Sequence, residues 1–372
     1  MPMRRNIIST LVISMCLAAC GGDGSGSNDT STPATPTQST PTQPPQASCD
    51  LSALEQSLRQ QAAALKTDTD FTLLLERFDG RGFSYSRGAS SAVTAYGSAS
   101  TSKWVSAVII LRLVDSGVLK LSDTPASRLS DWPLSASHPL SQMTLQQLLS
   151  FTSGLTEEPL CLNLPGADFA QCVRQGVSNN STNGRLPGTV FDYNGLHLQV
   201  AGLLAIRASG AADWQTLFRQ FVQQTGLFST ARYDLPSTGN PRLAGGMHWT
   251  AQQYLDFLRA LQQGKLLSVA LQQQMLANQR GTATVLNSPA VSGFGIDWPY
   301  GLGHWLECSN GQCISAQRHS SPGAYGAYPL IDYQHSYLAM LAREGALGSF
   351  VEGKAVIDAL TPAIQAWAGC KP

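Results

Sequence analysis

Ser100 and Lys103 stand three residues apart in the stretch "YGSASTSKWVSAVIILRLVDSG", just before a long apolar run. Three residues along a helix return to the same face, so the hydroxyl and the amine would be neighbours. An exposed lysine is protonated and cannot take a proton from serine. Burial lowers a lysine's pKa, and the neutral amine can then act as a general base that makes the hydroxyl a nucleophile. Trp104 to Val114 is apolar almost all round, interrupted by Arg112, which predicts a buried helix. The N-terminus of such a helix offers free backbone N–H groups and the positive end of its dipole to a developing oxyanion. The chemistry in view is attack on a carbonyl carbon. An N-cap serine beside a surface lysine gives the same spacing, so Ser-x-x-Lys alone is a hypothesis.

The elements that must position this pair follow from periodicity. "LSALEQSLRQQAAAL", Leu51 to Leu65, has helical apolar spacing. "FTLLLERFDG" and "GFSYSRG" predict two strands around a turn at Asp79-Gly80, and "AVTAYG" a further extended piece. "MTLQQLLSFTSGL" predicts a short helix closed by Gly154. A loop-rich stretch over 156–190 holds a short helix near Ala167–Gln175. The segments "LHLQVAGLLAIRAS", "DWQTLFRQFVQQTG", "TAQQYLDFLRALQQGK" and "SVALQQQMLAN" are helical. From about Ser292 short strands with Gly-rich turns take over, and a final helix, "FVEGKAVIDALTPAIQAW", carries a break signal at Pro362. The order is helix and strands, a mostly helical middle over roughly 120–285, then strands and helix. The fold class is α+β, with an antiparallel sheet assembled from both chain ends and the first and last helices on one face.

Several of these segments, in this order over roughly 51–370, resemble the serine β-lactamase-related hydrolases: class C β-lactamases, D-alanyl-D-alanine peptidases and related esterases. "STSKW" resembles their first motif, and "LKLSDTPASRL" the segment after the nucleophile helix. "LLSFTSGL" is close to the family's Leu-Leu-x-His-Thr-Ser-Gly-Leu, with Phe151 in place of the histidine. "LAGGMHWTAQQYLDFLRALQQG" and "YGLGHW" match further segments. The resemblance implies a β-lactamase/transpeptidase-like fold, Ser100 as nucleophile, Lys103 as base, and no metal or organic cofactor. The second family motif, Tyr-x-Asn, maps onto "FDYNG". Tyr193 takes the tyrosine's place as proton shuttle, while Asn194 follows at once and Gly195 holds the position of the asparagine that binds a substrate amide. The third motif, Lys-Thr-Gly or His-Thr-Gly, maps onto "RHSSPGAYG" through the Gly323 and Gly326 spacing. That sets Ser320-Ser321-Pro322 over the motif, with His319 one step early as a candidate. Arg318, Ser320 or Ser321 would meet a polar or carboxylate group of the substrate. A backbone N–H of Gly323 or Ala324 would complete an oxyanion hole with that of Ser100. Ser153 and His197 read as structural, and Trp298, Tyr300, Trp305 and Tyr328 as cleft or core aromatics.

The chain's start, "MPMRRNIISTLVISMCLAACGG", has a positive n-region, a short apolar h-region and small residues before Cys20. It resembles a bacterial lipoprotein signal, with 1–19 removed and lipid on Cys20. Residues 20–48 are rich in Gly, Ser, Thr, Pro and Gln and read as a flexible tether. The folded domain is then 49–372, on the cell envelope, and the residue after Cys20, glycine rather than aspartate, favours the outer membrane. Charged residues are only 13% of the chain and formal net charge is zero, with no basic patch, so nucleic acid is not an expected partner. A monomer acting on a small-molecule or peptide acyl substrate is expected. Six cysteines of the domain suit export. "CSNGQC" puts an Asn-Gly turn between Cys308 and Cys313, which predicts a stapled hairpin. Cys161 and Cys172 are local partners, leaving Cys49 and Cys370 to join the ends. The spacings lack a metal-binding pattern.

Two functions remain on this reading. One is a serine hydrolase working through an acyl-enzyme, as an esterase or peptidase rather than an efficient β-lactamase, because motifs two and three deviate. The other is a non-catalytic envelope protein of the same fold that binds peptidoglycan or a protein partner.

Overall fold

The computed structural model describes residues 49–67, 69–308 and 317–370. In chain order the strands are β1 (Phe71–Arg77), β2 (Gly82–Ser86), β3 (Ala95–Gly97), β4 (Val190–Asp192), β5 (Arg232–Tyr233), β6 (Met247–Thr250), β7 (Thr284–Asn287), β8 (Trp305–Glu307), β9 (Arg318–Ser320), β10 (Tyr328–Asp332) and β11 (Tyr337–Arg343). The helices are α1 (Leu51–Ala64), α2 (Ser102–Asp115), α3 (Pro125–Arg128), α4 (Leu145–Leu149), α5 (Phe169–Asn179), α6 (Leu196–Ser209), α7 (Trp214–Thr225), α8 (Ala251–Gln262), α9 (Val269–Leu276), α10 (Pro289–Phe294) and α11 (Phe350–Gly369).

β1 and β11 are apolar at most positions and buried along their whole length, as central strands covered on both faces must be. They pair antiparallel at the middle of a sheet ordered β2-β1-β11-β10-β9-β8. One face carries α1 and α11, whose Leu58, Ala62, Ile357, Leu360 and Trp367 pack on Phe71, Leu73, Leu75 and Leu341. The other face meets α8 and the buried α2, which lead into the helices between residues 125 and 276. The sheet therefore closes from both chain ends, with the terminal helices together. Cys49 and Cys370 are disulfide-bonded, with Cα atoms 5.5 Å apart, and so are Cys161 and Cys172, at 5.7 Å. Cys308 is also disulfide-bonded. Cys313, and with it the hairpin expected at Cys308–Cys313, lies outside the described residues, as do the signal segment, Cys20 and the tether.

Four local expectations are corrected. α11 runs unbroken through Pro362. Burial of Ile357, Leu360, Ile364 and Trp367 on the sheet outweighs the proline's loss of one hydrogen bond, a cost of about 3 kcal/mol. α4 ends at Leu149, not at Gly154, and the first left-handed residue is Phe151, φ 60°. Its ring stacks on His197 and Tyr300, so packing sets that backbone rather than a glycine. The stretch at Pro289–Phe294 is a short helix, begun by the Ser288 cap and a proline in its first turn. β6 was not expected. It is too short for a period-2 signal, yet it pairs with both β3 and β5 and reaches the nucleophile turn.

Candidate active site

Ser100 lies in a short 3₁₀ turn, Ala99–Thr101, that runs directly into α2. Ala99 has φ 42°, a strained value for a residue with a Cβ, and it sits next to the candidate nucleophile. The turn is clamped from several sides. The Ser98 N–H donates to the Met247 carbonyl at 2.8 Å, and the Met247 N–H returns to the Ser98 hydroxyl at 3.1 Å. The Trp249 indole donates to Thr101 Oγ1 at 2.8 Å, and the Tyr254 hydroxyl to the Thr101 carbonyl at 2.8 Å. Strand β6 and helix α8 thus hold the nucleophile turn in place, which accounts for a short strand at that point in the chain.

Ser100 and Lys103 are neighbours in three dimensions. Lys103 Nζ donates to Ser100 Oγ at 2.8 Å and to the Ala244 carbonyl at 2.9 Å. Burial, assisted by the Arg242 charge and opposed by Glu158, brings Lys103 down to about 7 from the ordinary 10.5. The amine is therefore available as a base near neutral pH. Its Nζ also lies 4.6 Å from the centroid of the Tyr193 ring. Burial pushes the Tyr193 phenol up to about 12, against the pull of the Ser100 and Trp305 side chains. Tyr193 thus keeps its proton while Lys103 can release one. The structure brings Ser100, Lys103 and Tyr193 together.

Asn194 is not directed at substrate. Its amide donates to the Leu155 carbonyl and the Asp192 carboxylate, both at 2.9 Å, and its carbonyl accepts from the Leu196 N–H at 3.0 Å. It therefore fixes the start of α6. At Gly195 the backbone N–H donates to Glu158 Oε1. A Cβ there would lie 2.7 Å from that carboxylate oxygen, so a side chain at this position would have to displace the Glu158 carboxylate. Arg242 holds the same carboxylate at 3.0 Å. The place that the family resemblance gives to an amide-binding asparagine is occupied by a Glu158–Arg242 ion pair.

The third segment divides in the same way. His319 is buried, and its Nδ1 faces His304 Nε2 at 2.9 Å. His304 in turn stacks on Trp104 at 4.9 Å, so the histidine pair lies behind α2 and outside the cavity. Arg318 projects to the opposite face of β9, where it pairs with Glu307 at 3.3 Å. Ser320 is buried in the strand. Ser321 does reach the nucleophile, its hydroxyl donating to the Ser100 carbonyl at 3.1 Å. At Gly323 an added Cβ would fall 2.7 Å from the Ser98 carbonyl, so this loop needs glycine to approach the nucleophile turn. The Gly323 N–H is committed to the Ala327 carbonyl at 2.9 Å. Ala324, the other residue expected to offer a backbone N–H, lines the cavity with Ser100.

Glu158, Arg242 and Asn287 carried no sequence signal. Asn287 lines the cavity and donates to the Tyr193 carbonyl at 3.1 Å, while the Tyr193 N–H returns to the Asn287 carbonyl at 3.0 Å. Ser153 and His197 hydrogen-bond to each other beside the site. A carbonyl can only accept, so His197 Nε2 donates to Asp192 O at 2.9 Å. Nδ1 then accepts from the Ser153 hydroxyl at 2.8 Å. The pair fixes the residue before Tyr193. Of the four aromatics, Trp298 and Trp305 line the cavity. Tyr300 packs on Phe151 and Trp305, and Tyr328 sits across the sheet, donating to Glu307 at 2.5 Å. Among the described residues no cluster of His, Cys, Asp and Glu could hold a metal ion, and no helix is long and apolar enough to cross a membrane.

A serine, a buried lysine and a tyrosine, gathered where a helix meets the edge of an antiparallel sheet, define a class of serine hydrolase. Residues 79–351 match the family model Beta-lactamase, and the chain belongs to that family. No curated protein matches it. Among solved structures it is similar to a candidate β-lactamase from Bacteroides dorei, with 23% identity and TM-score 0.69 over 85% of this chain and 99% of that one. It is also similar to EstCE1, a hydrolase with promiscuous acyltransferase activity, at 18% identity and TM-score 0.64 over 86% and 98% of the two chains. A simvastatin synthase (LovD) mutant from Aspergillus terreus aligns at 17% identity and TM-score 0.63 over 85% and 94%. These likenesses establish the β-lactamase/transpeptidase-like fold, and they leave the substrate to the site.

Proposed function

We propose that the protein is a serine hydrolase that cleaves an ester through an acyl-enzyme on Ser100. The observation that carries this reading is the 2.8 Å contact between Ser100 Oγ and Lys103, whose amine burial lowers to about 7. Ser100 Oγ bonds to the acyl carbon as its proton passes to Lys103, and the Ser100 and Ala324 amides hold the oxyanion. The bond to the alcohol breaks, and Tyr193, reprotonated through Lys103, supplies the alkoxide's proton. Lys103, neutral again, takes a proton from water as the water oxygen attacks the acyl carbon; the bond to Ser100 Oγ breaks, the proton passes from Lys103 back to Ser100, and the acid leaves. The ion pair in the amide-binding place and the absence of a lysine from the third motif favour esters over β-lactams and peptide amides. A fluorophosphonate probe should label the purified domain at Ser100 and fail to label Ser100→Ala. If the folded wild-type domain takes no label and turns over no ester, the non-catalytic binding reading stands instead.

We also propose that the domain is exported and tethered to the outer membrane by lipid on Cys20. The order of n-region, h-region and small residues before that cysteine supports this. Labelled palmitate should enter the full-length chain in bacteria, and Cys20→Ser should abolish incorporation. Equal incorporation in the variant would remove the anchor.

A further inference from the structure

The cavity in front of Ser100 measures about 290 Å³, and its walls are aromatic. Phe294 meets Phe350 edge-on at 5.4 Å and lies 5.3 Å from Trp298. Trp298 is 6.4 Å from Trp305, and Trp305 stacks on Tyr193 at 5.0 Å. Pro289, Ala290, Pro322 and Ala324 add apolar surface, Asn287 and Ser292 neutral polar groups, and no charged side chain is among the lining residues. The cations nearby are committed elsewhere. Arg318 is on the far face of the sheet with Glu307. Lys354 lies over the Phe294 and Trp298 rings with its charge paired to Asp358. Arg242 is held by Glu158, which adds a negative charge on the Lys103 side.

A carboxylate carried into this cavity would leave water and find no cation except the base itself, which must be neutral to work. A flat ring would find both faces and edges of aromatic partners, the arrangements that aromatic pairs prefer. The volume is at the low end for ligand cavities, roughly 300–1,000 Å³, too small for a long lipid chain. We propose that this cavity is an acyl pocket for a compact, uncharged aromatic acid, and that the physiological substrate is an ester of such an acid. The proposal rests on the esterase reading above and deepens it.

Nitrophenyl esters sharing one leaving group test it. The phenylacetyl ester should exceed the cyclohexylacetyl ester in kcat/KM by about two- to tenfold, the span of a good aromatic contact. The 4-carbamoylphenylacetyl ester should exceed its anionic 4-carboxy counterpart by at least about tenfold. The palmitoyl ester should be turned over least. Ser292 is an exposed lining residue, so Ser292→Arg should move the neutral-to-anionic ratio towards the anion. The proposal fails if the anionic ester is used as well as the neutral one, if cyclohexylacetyl matches phenylacetyl, or if Ser292→Arg leaves the ratio unchanged. Protection of Ser100 from the fluorophosphonate by benzylboronic acid, against its 4-carboxy derivative, reads the same preference without turnover. Labelled Ser100 with the wrong order of preference overturns the acyl pocket and leaves the hydrolase. Unlabelled Ser100 with no turnover overturns both.

Discussion

Lys103→Met should lower kcat/KM for an ester by about 10³-fold, within the range of a general base removed from its site. Methionine has nearly the length of the lysine stem and suits the buried surroundings, so the fold should survive the change. The effect follows from Lys103 Nζ being 2.8 Å from Ser100 Oγ and from its pKa of about 7. Only the neutral amine accepts the serine proton, so wild-type kcat/KM should rise with pH through a limb centred near 7. In Lys103→Met that limb should vanish along with the rate. Lys103→Arg should be no better, because a guanidinium stays charged at any pH used. A limb that persists near pH 7 in the methionine variant would assign it to another group. Stability carries the same signature. Between about 7 and the ordinary lysine value of 10.5, the unfolded chain keeps a proton that the folded chain has shed. Raising the pH over that window therefore stabilises the wild-type fold, and this slope should be missing in Lys103→Met, as read by denaturant midpoints.

The part of the site built from local spacing was the part legible in the sequence. Ser100 and Lys103 meet because a helix returns to the same face after three residues, and the apolar run around Trp104–Leu111 announced the burial that lowers the lysine. The sheet closed from both ends was legible from element order: strands at "FTLLLERFDG" and "GFSYSRG" beside a first helix, and short strands after about Ser292 beside a last one. His319 failed because tertiary packing decides where its ring goes: it meets His304 at 2.9 Å, while Ser321, two residues on and beyond the end of β9, is the residue that reaches Ser100. The Glu158–Arg242 pair could not be seen at all. Glu158 meets Gly195 across 37 residues and Arg242 across 84, and each stands in a loop with no periodic signal. Asn287 likewise joins Tyr193 only through the parallel pairing of β4 with β7. What stayed hidden is therefore what tertiary folding alone brings together, and on the proposed function it is also what would make the site selective.

Tyr193→Phe should lower kcat by about 10²-fold on alkyl esters and leave KM within a few-fold. The substitution removes one hydroxyl and keeps the ring. Stacking on Trp305 at 5.0 Å and the edge contact with Phe151 at 5.5 Å should hold the phenylalanine in place. The two titrating groups are set apart by burial. Lys103 is lowered to about 7, whereas Tyr193 is raised to about 12, so at neutral pH the phenol is a poor base for Ser100 but retains a proton to give. On the proposed mechanism its task is to protonate the departing alkoxide, with Lys103 behind it to restore the proton. An alkoxide needs that proton in the transition state. A nitrophenolate is stable without it. The loss in Tyr193→Phe should therefore shrink to a few-fold on nitrophenyl esters, so the activity ratio between the two leaving groups reports the role. An equal loss on both would show instead that Tyr193 acts at the attack step, as part of the base that activates Ser100. That outcome would require the phenolate to be reached at the working pH, against the direction in which burial pushes it.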